Sequence, residues 1–258
     1  MGFQDEDLEN STRPEPSLPA HDLRPVFFFD IDNCVPLLEN YAKNQPGNRI
    51  HDLMQQLINN FFAKHLSLDS QDATMLHQKY YKEYGLAIEG LTRHHRINPL
   101  EFNRQVDDAL PLDSILKPDP QLRSFLQDFD TTKVKLWLFT NAYSTHAKRV
   151  VKLLGVDDLF EGLTFCDYAA LKLVCKPDMA MFEKAERDAG ATVAGGCFFV
   201  DDSALNCRNA QDRGWETIHF VEPHIIPPEV PASKYQIRRL EELRDLFPQF
   251  FKSASSTI

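Results

Sequence analysis

The sequence is short of glycine, of positive charge and of long apolar segments. Its 258 residues include only 10 glycines, and neither G-x-x-x-x-G-K nor G-x-G-x-x-G occurs, which disfavours phosphate-loop and dinucleotide-binding proteins of those types. The 28 basic and 38 acidic residues give a formal net charge of −10, which argues against nucleic acid as the main partner. No apolar run approaches the length of a membrane span, so we expect no membrane partner.

The N-terminal region lacks both the basic and the apolar segment of a signal peptide. It is acidic and contains prolines, so we predict a disordered tail over residues 1–22. The five cysteines are odd in number and form no CxxC pair. This usage indicates reduced, mostly buried thiols in a cytoplasmic protein, with an additional nuclear location left open.

The first half of the chain contains one short strand-like segment and then only helical patterns. Residues 24–29 have the strand pattern, and apolar residues recur at helical spacing over 49–65. A second helix is predicted where Ala73, Leu76, Tyr80 and Tyr84 recur, with Gly85 as its C-terminal cap. Asn98-Pro99 is a helix start signal. We therefore predict an all-helical unit over residues 46–110.

From residue 113 onward, strand-like runs alternate with helical ones. This alternation predicts an α/β fold, a doubly wound, Rossmann-like parallel sheet covered by helices on both faces. The first strand is expected to join the sheet, which makes the helical unit an inserted cap. The predicted core is then 23–45 and 111–251, followed by a C-terminal tail at 252–258. Strands are predicted at 134–139, 163–166, 197–200 and 216–221, and helices near 147–154, 178–189, 203–213 and 235–251.

Polar residues follow each of the predicted strands. Because sites in open parallel sheets form at the carboxyl ends of the strands, these residues are expected to meet in one crevice. Clustered carboxylates repel one another unless a cation lies among them, and oxygen ligands suit Mg²⁺. The residues concerned are Asp30 and Asp32, Thr140 and Asn141, Lys176, and Asp201, Asp202 and Asn206.

Each of these segments also has an ordinary structural interpretation. Asp30 and Asp32 fit a turn, Thr140-Asn141 fits a helix cap, and Asp201-Asp202-Ser203 fits a cap with favourable dipole contact. A lysine before a helix, such as Lys176, is usually solvated. Their occurrence in order at successive strand ends favours a joint site over coincidence.

These residues resemble the four motifs of the haloacid dehalogenase superfamily, over about residues 23–221. The segments FFFDIDNC, YYKEYGLAIEGL, LFTNAY, CKPD and FVDDS resemble most closely the pyrimidine 5′-nucleotidase group of fungi and plants. Cys34 stands where the superfamily pattern usually has threonine or valine, and we expect it to support the loop without taking part in the chemistry. Pro36, where the cap hinges, is expected to stiffen that movement.

The resemblance implies a role for each core residue. Asp30 is the nucleophile that forms an aspartyl-phosphate, and Asp32 is the general acid and then the base. Thr140 and the Asn141 backbone N–H bind the phosphoryl oxygens, and Lys176 neutralises charge between Asp30 and the phosphate. Mg²⁺ is held by the Asp30 carboxylate, the Asp32 carbonyl and the Asp202 carboxylate. Asp201 and Asn206 orient these groups, and an exchange of roles between Asp201 and Asp202 stays open.

Substrate selection is expected from the helical unit, because lids commonly complete such sites. Tyr81 is a candidate for stacking on a base, and Lys82, Arg93 and His94 are candidates for contacts with a ribose or a second anion. Against this, the tyrosines beside Tyr81 fit the buried stripe of a helix, and the segment RHHR fits a solvated loop.

Together these features predict a Mg²⁺-dependent pyrimidine 5′-nucleotidase that acts on a small phosphomonoester such as UMP or CMP. The second aspartate, Asp32, favours phosphate ester hydrolysis over dehalogenation, which needs no acid for its halide. Two alternatives stay open. One is a phosphatase of another small ester, such as a pyridine nucleotide, a sugar phosphate or lysophosphatidate. The other is a non-catalytic regulator on the same fold.

Overall fold

A computed structural model describes residues 22–32, 34, 49–191, 196–222 and 225–253. The predicted tail therefore lies outside the described residues except for Asp22, whose carboxylate pairs with Arg24. Pro36 and its predicted effect on the hinge also lie outside them, as do residues 254–258. Within the described residues, no helix is both long and apolar enough to cross a membrane.

The described residues form a six-stranded, all-parallel sheet in the order β3-β2-β1-β4-β5-β6. The central strand β1 is fully buried, because helices cover both faces of the sheet. The predicted doubly wound α/β fold is confirmed. The strands are β1 (Val26–Phe29), β2 (Lys135–Thr140), β3 (Gly162–Phe165), β4 (Cys197–Asp201), β5 (Glu216–Phe220) and β6 (Tyr235–Ile237).

The helices divide into a group between β1 and β2 and a group that alternates with the later strands. The first group contains α1 (Arg49–Leu66), α2 (Ser70–Tyr84), α3 (Ala87–His95), α4 (Pro99–Gln105), α5 (Leu112–Ile115) and α6 (Pro120–Gln127). The second contains α7 (Ser144–Leu154), α8 (Met179–Ala189), α9 (Ala204–Asp212) and α10 (Leu243–Leu246).

Alternate side chains of β1 enter different cores. Phe27 and Phe29 pack on one face of the sheet, where Phe27 lies 5.7 Å from Phe198 between ring centroids. Phe28 packs on the other face and stacks on Trp215 at 4.7 Å. Burial of each such ring stabilises the fold by roughly 1.5–3 kcal/mol. These two cores hold β1 rigidly and therefore fix the position of the residue that follows it.

Helices α1 to α4 form the predicted helical insertion. They pack around their own apolar cluster, which includes Phe62, Ile88 and Phe102. Asp69 caps α2 through the Asp72 backbone N–H, and Gly85 ends it at φ 75°. The sequence did not predict α3 or α6, although Asp119 and Pro120 form a start signal for α6. The domain bounds of 46 and 110 stay a prediction.

The predicted helix over 235–251 is wrong. Tyr235–Ile237 instead adds the edge strand β6 to the sheet, and the Val221 N–H donates to the Ile237 carbonyl at 2.9 Å. The Glu242 carboxylate then accepts from the Arg238 and Arg239 N–H groups, and only the short helix α10 follows. Pairing at the sheet edge outweighed the helical spacing of the apolar residues.

Candidate active site

A cavity of about 310 Å³ lies at the carboxyl end of the sheet, between the strands and the helical insertion. Asp30 follows β1 directly, and Thr140 is the last residue of β2. Asp202 follows β4, so three separate segments bring these side chains to one edge, as predicted. Seven of the eight core residues that the sequence predicted lie on the cavity wall. The eighth, Asp201, has no exposed surface and lies behind the wall.

Lys176 connects the residues of the cavity floor. Its Nζ lies 2.6 Å from Asp30 Oδ1, 2.7 Å from Asp201 Oδ2 and 2.8 Å from the Phe139 carbonyl oxygen. These contacts engage all three ammonium protons. Burial by itself lowers the pKa of Lys176, but Asp201 and Asp30 outweigh it and raise the pKa above its usual value. The ammonium therefore stays charged, and it holds Asp30 in place.

The Asn141 side chain fixes the segment that carries Lys176. Its Nδ2 donates to the Lys176 carbonyl at 2.8 Å, and its Oδ1 accepts from the Lys176 N–H at 2.7 Å. Thr140 Oγ1 accepts from the Ala142 N–H at 2.9 Å. That contact uses the hydroxyl as an acceptor, so the Thr140 proton remains available to an anion in the cavity.

The two adjacent aspartates have different surroundings. The Asp201 carboxylate accepts from Lys176, from Asn206 Nδ2 at 3.1 Å and from the Ser203 N–H at 2.7 Å. Asp202 instead faces the cavity, and its carboxylate lies within 4.8 Å of ligand atoms of Asp30 and Cys34. Asp201 is therefore committed to protein partners, whereas the Asp202 carboxylate is turned towards the cavity.

The donors in the cavity fit a hard divalent cation. Burial raises the pKa of Asp30 well above its usual value, and Asp201 and Asp202 add to this effect while Lys176 opposes it. An ionised Asp30 therefore needs positive charge beyond that of Lys176. Burial also raises the pKa of Cys34, so its sulfur stays a thiol and leaves the carboxylate oxygens as the better ligands.

Asp32 is paired with a histidine that the sequence did not single out. His146, in the first turn of α7, places Nε2 2.9 Å from Asp32 Oδ1. Burial alone lowers the pKa of His146, but Asp32 outweighs it and Asp107 adds to the effect, so the pKa rises to about 9. Desolvation in the cavity raises the pKa of Asp32, although the side chain is 41% exposed, and His146 reverses the shift, so that the pKa lies below its usual value. The only signal in the sequence was a histidine five positions after Asn141.

Two other groups near the acids, His219 and Asp107, were also not predicted from the sequence. His219 Nε2 donates to the Asp202 carbonyl at 3.1 Å and so restrains the loop after β4. Asp107 lines the cavity beside the helical insertion. Burial raises the pKa of Asp107 to about 7, with His146 opposing and Asp32 adding to the shift.

Of the four candidates in the helical insertion, the structure brings only Tyr81 to the cavity. Tyr81 is 54% exposed overall, but desolvation of its hydroxyl, with the carboxylates of Asp202, Asp201 and Asp30 adding to the effect, raises its pKa. Arg93 instead binds Glu89 at 2.6 Å.

The other two candidates also lie elsewhere. His94 Nε2 contacts Tyr84 Oη at 2.8 Å within the insertion, and Lys82 is exposed. The segment RHHR is not a loop, since Arg93, His94 and His95 belong to α3.

Comparisons with solved structures identify the same fold. The chain superposes on a haloacid dehalogenase phosphatase from Thermococcus onnurineus with a TM-score of 0.56 at 17% identity, covering 86% of this chain and 97% of that one. CbbY from Rhodobacter sphaeroides, in complex with xylulose-1,5-bisphosphate, gives 0.59 at 14% identity, covering 86% and 96%. The hydrolase YfnB from Bacillus subtilis, bound to magnesium, gives 0.53 at 14%, covering 87% and 98%. Identities this low show the fold alone.

Sequence comparison is more specific. The chain is 41% identical over 219 residues to phosphate metabolism protein 8 of Saccharomyces cerevisiae, and the match covers 81% of this chain. The chain thus spans 66% of the length of that relative. The family model of the haloacid dehalogenase-like hydrolases matches residues 25–208. This stretch contains all eight core residues that the sequence predicted, from Asp30 to Asn206. Because this match spans most of the chain, the protein belongs to the haloacid dehalogenase-like hydrolase family.

Proposed function

We propose that this hydrolase is a Mg²⁺-dependent phosphatase that cleaves pyrimidine nucleoside monophosphates through a covalent aspartyl-phosphate. One observation carries the proposal. Lys176 Nζ bridges Asp30 and Asp201 on the floor of a cavity that also contains Thr140 and Asp202. A carboxylate held by a buried cation and facing an open cavity is suited to attack an electrophile there.

Asp30 is the proposed nucleophile. Lys176 holds its Oδ1, which leaves the second oxygen to form a bond to phosphorus while the bond from phosphorus to the leaving oxygen breaks. Asp32, which must be protonated when the ester binds, gives a proton to that leaving oxygen, a contribution of about 10²–10⁴-fold. The negative charge of the bound phosphoryl group favours this protonated form, whereas His146 favours the carboxylate that acts as base in the second step. In the second step Asp32 takes a proton from water, whose oxygen attacks phosphorus and releases phosphate and Asp30.

The phosphoryl oxygens are proposed to bind Thr140 Oγ1 and the Asn141 backbone N–H. Lys176 differs from the expectation in one respect, because its three protons are already engaged by protein acceptors. Its proposed contribution is therefore to orient Asp30 and to offset charge, without a direct contact with phosphate.

The metal is proposed to bind the Asp30 and Asp202 carboxylates and the Asp32 carbonyl. Bound there, Mg²⁺ would offset the charge of the attacking carboxylate and of the phosphoryl group. The excess of carboxylates over cations at this site supports its presence. Asp201 and Asn206 are proposed to orient Lys176 and the loop that carries Asp202.

The upper part of the cavity is proposed to hold the nucleoside. Its size suits a small ester, since ligand pockets measure about 300–1,000 Å³. Tyr81 supplies a ring, Gln55 an amide, and Met54 and Phe102 apolar surface. A base needs both a stacking surface and hydrogen-bonding groups, and these residues supply both. We also propose a cytoplasmic or nuclear location, which rests on the five buried cysteines, none of which forms a disulfide within the described residues.

The proposal is tested by phosphate release from UMP, CMP, AMP, nicotinamide mononucleotide and a sugar phosphate, each with Mg²⁺ and with EDTA. We expect Mg²⁺-dependent release that is fastest with UMP or CMP, and no release by the Asp30→Asn variant. Faster hydrolysis of another ester would reassign the substrate. No release from any ester would overturn the enzymatic proposal and favour a regulator on this fold.

A further inference from the structure

One buried side chain of the cavity wall has no part in the reaction as described so far. His146 is 2% exposed and lies at the start of α7. Its Nε2 is 2.9 Å from Oδ1 of Asp32, 114 positions earlier in the chain. A buried polar group is costly unless it is hydrogen-bonded, so the position of this ring requires a reason.

The contact with Asp32 is the interaction that accounts for the buried ring. Among the described residues, His146 Nδ1 has no hydrogen-bond partner. A histidine kept only for packing would satisfy both nitrogens or be replaced by an apolar side chain of the same size. One nitrogen is instead left without a partner while the other is directed at a carboxylate in the cavity.

Asp32 needs such a partner more than Asp30 and Asp201 do. Its side chain is 41% exposed, whereas Asp30 and Asp201 are held by Lys176. The terminal torsion of an aspartate is broad, so an unrestrained carboxylate samples many directions. With Oδ1 held by His146, the second oxygen of Asp32 has a defined direction.

The histidine is itself rigidly held. The residues that follow it in α7, Ala147, Val150 and Val151, are buried in the main core beneath the sheet. The position of Nε2 is thereby fixed relative to β1, which carries Asp30 at its end. The proton-transferring carboxylate is thus held in place relative to the nucleophile by α7, a helix far from both aspartates in the sequence.

We propose that His146 is a positioning residue for Asp32, directing the free carboxylate oxygen at the leaving oxygen of the substrate. This inference rests on the proposed phosphatase function. In this role His146 does not contact the phosphate, and its effect on the rate depends on the leaving group of the substrate. In the first step, loss of His146 slows only those reactions in which the leaving oxygen needs a proton.

The test compares two phosphate esters. The leaving group of UMP is an alkoxide that requires protonation. The leaving group of p-nitrophenyl phosphate is a stable phenolate that does not. The comparison uses kcat/KM, because this constant reports the first step, whereas the second step, in which Asp32 acts as base towards water, is the same for both esters. For His146→Ala, we expect kcat/KM with UMP to fall at least about tenfold, within the ~10²–10⁴-fold that a general acid contributes. With p-nitrophenyl phosphate, we expect kcat/KM to fall less than about threefold, because its first step needs no proton transfer. An equal loss of kcat/KM with both esters would overturn the inference.

Two further variants separate positioning from general damage. His146→Gln keeps an N–H donor near Nε2 and is expected to restore much of the UMP rate. His65→Ala removes a histidine of the helical insertion that contacts Gln105, and it should leave the ratio of the two rates unchanged. In an Asp32→Asn background, adding His146→Ala should have no further effect, since residues that act as a unit are non-additive. Additive losses would contradict the inference.

A measurement without substrate separates this inference from the proposed function. The hydrogen-bonded N–H of His146 should give a downfield proton resonance that disappears in both His146→Gln and Asp32→Ala. A protein that shows this resonance but hydrolyses neither ester would overturn the phosphatase proposal alone. A resonance that persists in Asp32→Ala, or is absent from the wild-type protein, would overturn the contact on which the inference depends.

Discussion

Lys176 Nζ lies 2.6 Å from Asp30 Oδ1, although the two residues are 146 positions apart in the chain. Both are buried, and the same ammonium also binds Asp201. The contact joins the end of β1 to the segment before α8. It makes the reactivity of Asp30 and the stability of the cavity floor depend on a single buried cation.

Replacement of Asp30 by asparagine should abolish turnover without loss of the fold. The amide oxygen keeps an acceptor for Lys176 but cannot attack phosphorus. We expect kcat with UMP to fall by at least about 10³-fold, as removal of a nucleophile usually does. Phosphate release measures this effect, and circular dichroism checks the fold. Substantial residual activity in the folded variant would assign the nucleophile elsewhere.

Replacement of Lys176 by methionine should destabilise the protein strongly. It leaves the Asp30 and Asp201 carboxylates buried without their cation, and breaking such a pair costs about 3–5 kcal/mol. Urea unfolding measures the change in the free energy of unfolding. The matched control is Lys184→Met, because Lys184 pairs with Asp188 at the surface and such pairs contribute about 1 kcal/mol or less. Equal losses in the two variants would contradict the proposed role of Lys176.

Addition of Mg²⁺ should stabilise the native protein as well as activate it. A ligand at ten times its Kd that binds only the native state adds about 1.4 kcal/mol to the free energy of unfolding. We expect thermal unfolding to shift upward with Mg²⁺ and the shift to be lost in Asp202→Asn, while EDTA abolishes phosphate release. A shift of the same size in that variant would place the metal elsewhere.

Acid should destabilise the helical insertion through His77. Burial lowers the pKa of this histidine from 6.5 to about 4, and its ring contacts Asn59 Oδ1 at 2.9 Å. Between pH 6.5 and pH 4, His77 binds a proton in the unfolded chain but stays neutral in the native state. The stabilisation is therefore present above pH 6.5 and is lost as the pH falls towards 4, by up to about 3 kcal/mol at about 1.4 kcal/mol per unit.

The comparison for this effect is His77→Gln, which has no titrating ring. The free energy of unfolding of the wild-type protein should fall more steeply than that of the variant between pH 6.5 and 4. Parallel curves would show that His77 does not titrate in this way.

Replacement of Gly85 by alanine should lower kcat strongly while the protein still folds. Gly85 ends α2 at φ 75°, and a Cβ there would lie 2.9 Å from the Lys176 carbonyl oxygen. The left-handed conformation costs an alanine roughly 1–2 kcal/mol. The contact would also displace the backbone of Lys176, and a shift of about 1 Å in such a site can cost about 10²-fold in rate.

Gly190→Ala is the matched control for this prediction. Gly190 has φ 65°, but its Cβ would approach only the flexible end of Lys135, at 3.9 Å. Both variants should lose stability in thermal unfolding through the left-handed backbone, Gly85→Ala more because of its close contact with Lys176, and only Gly85→Ala should lose kcat. If both lose kcat equally, the contact between the helical insertion and the Lys176 segment is not important for turnover.

Much of the fold could be predicted because its signals are local. The apolar run of β1 and the cap at Gly85 depend on neighbouring residues, and both were predicted. The edge strand β6 was missed because three residues of strand carry little signal. Its pairing with β5 comes from the tertiary structure, which overrides local helical spacing.

The candidate site divides in a similar way. Motif residues at strand ends were predictable, because parallel strands bring their carboxyl ends to one edge. The contacts of Arg93 and His94 were not predictable, since Glu89 and Tyr84 are close to them only on the folded helices. The charge of Arg93 and the ring of His94 do not indicate by themselves whether these side chains face the cavity.

By itself, the sequence determined the family, the parallel sheet and the set of acids around Lys176, because strand order and strand-end chemistry follow from the chain. Only the tertiary structure decided how those groups are used. It engages every proton of Lys176, buries Asp201 while turning Asp202 towards the cavity, and brings His146 to Asp32. Hydrogen-bond geometry between distant segments depends on packing, and packing is a property of the whole fold.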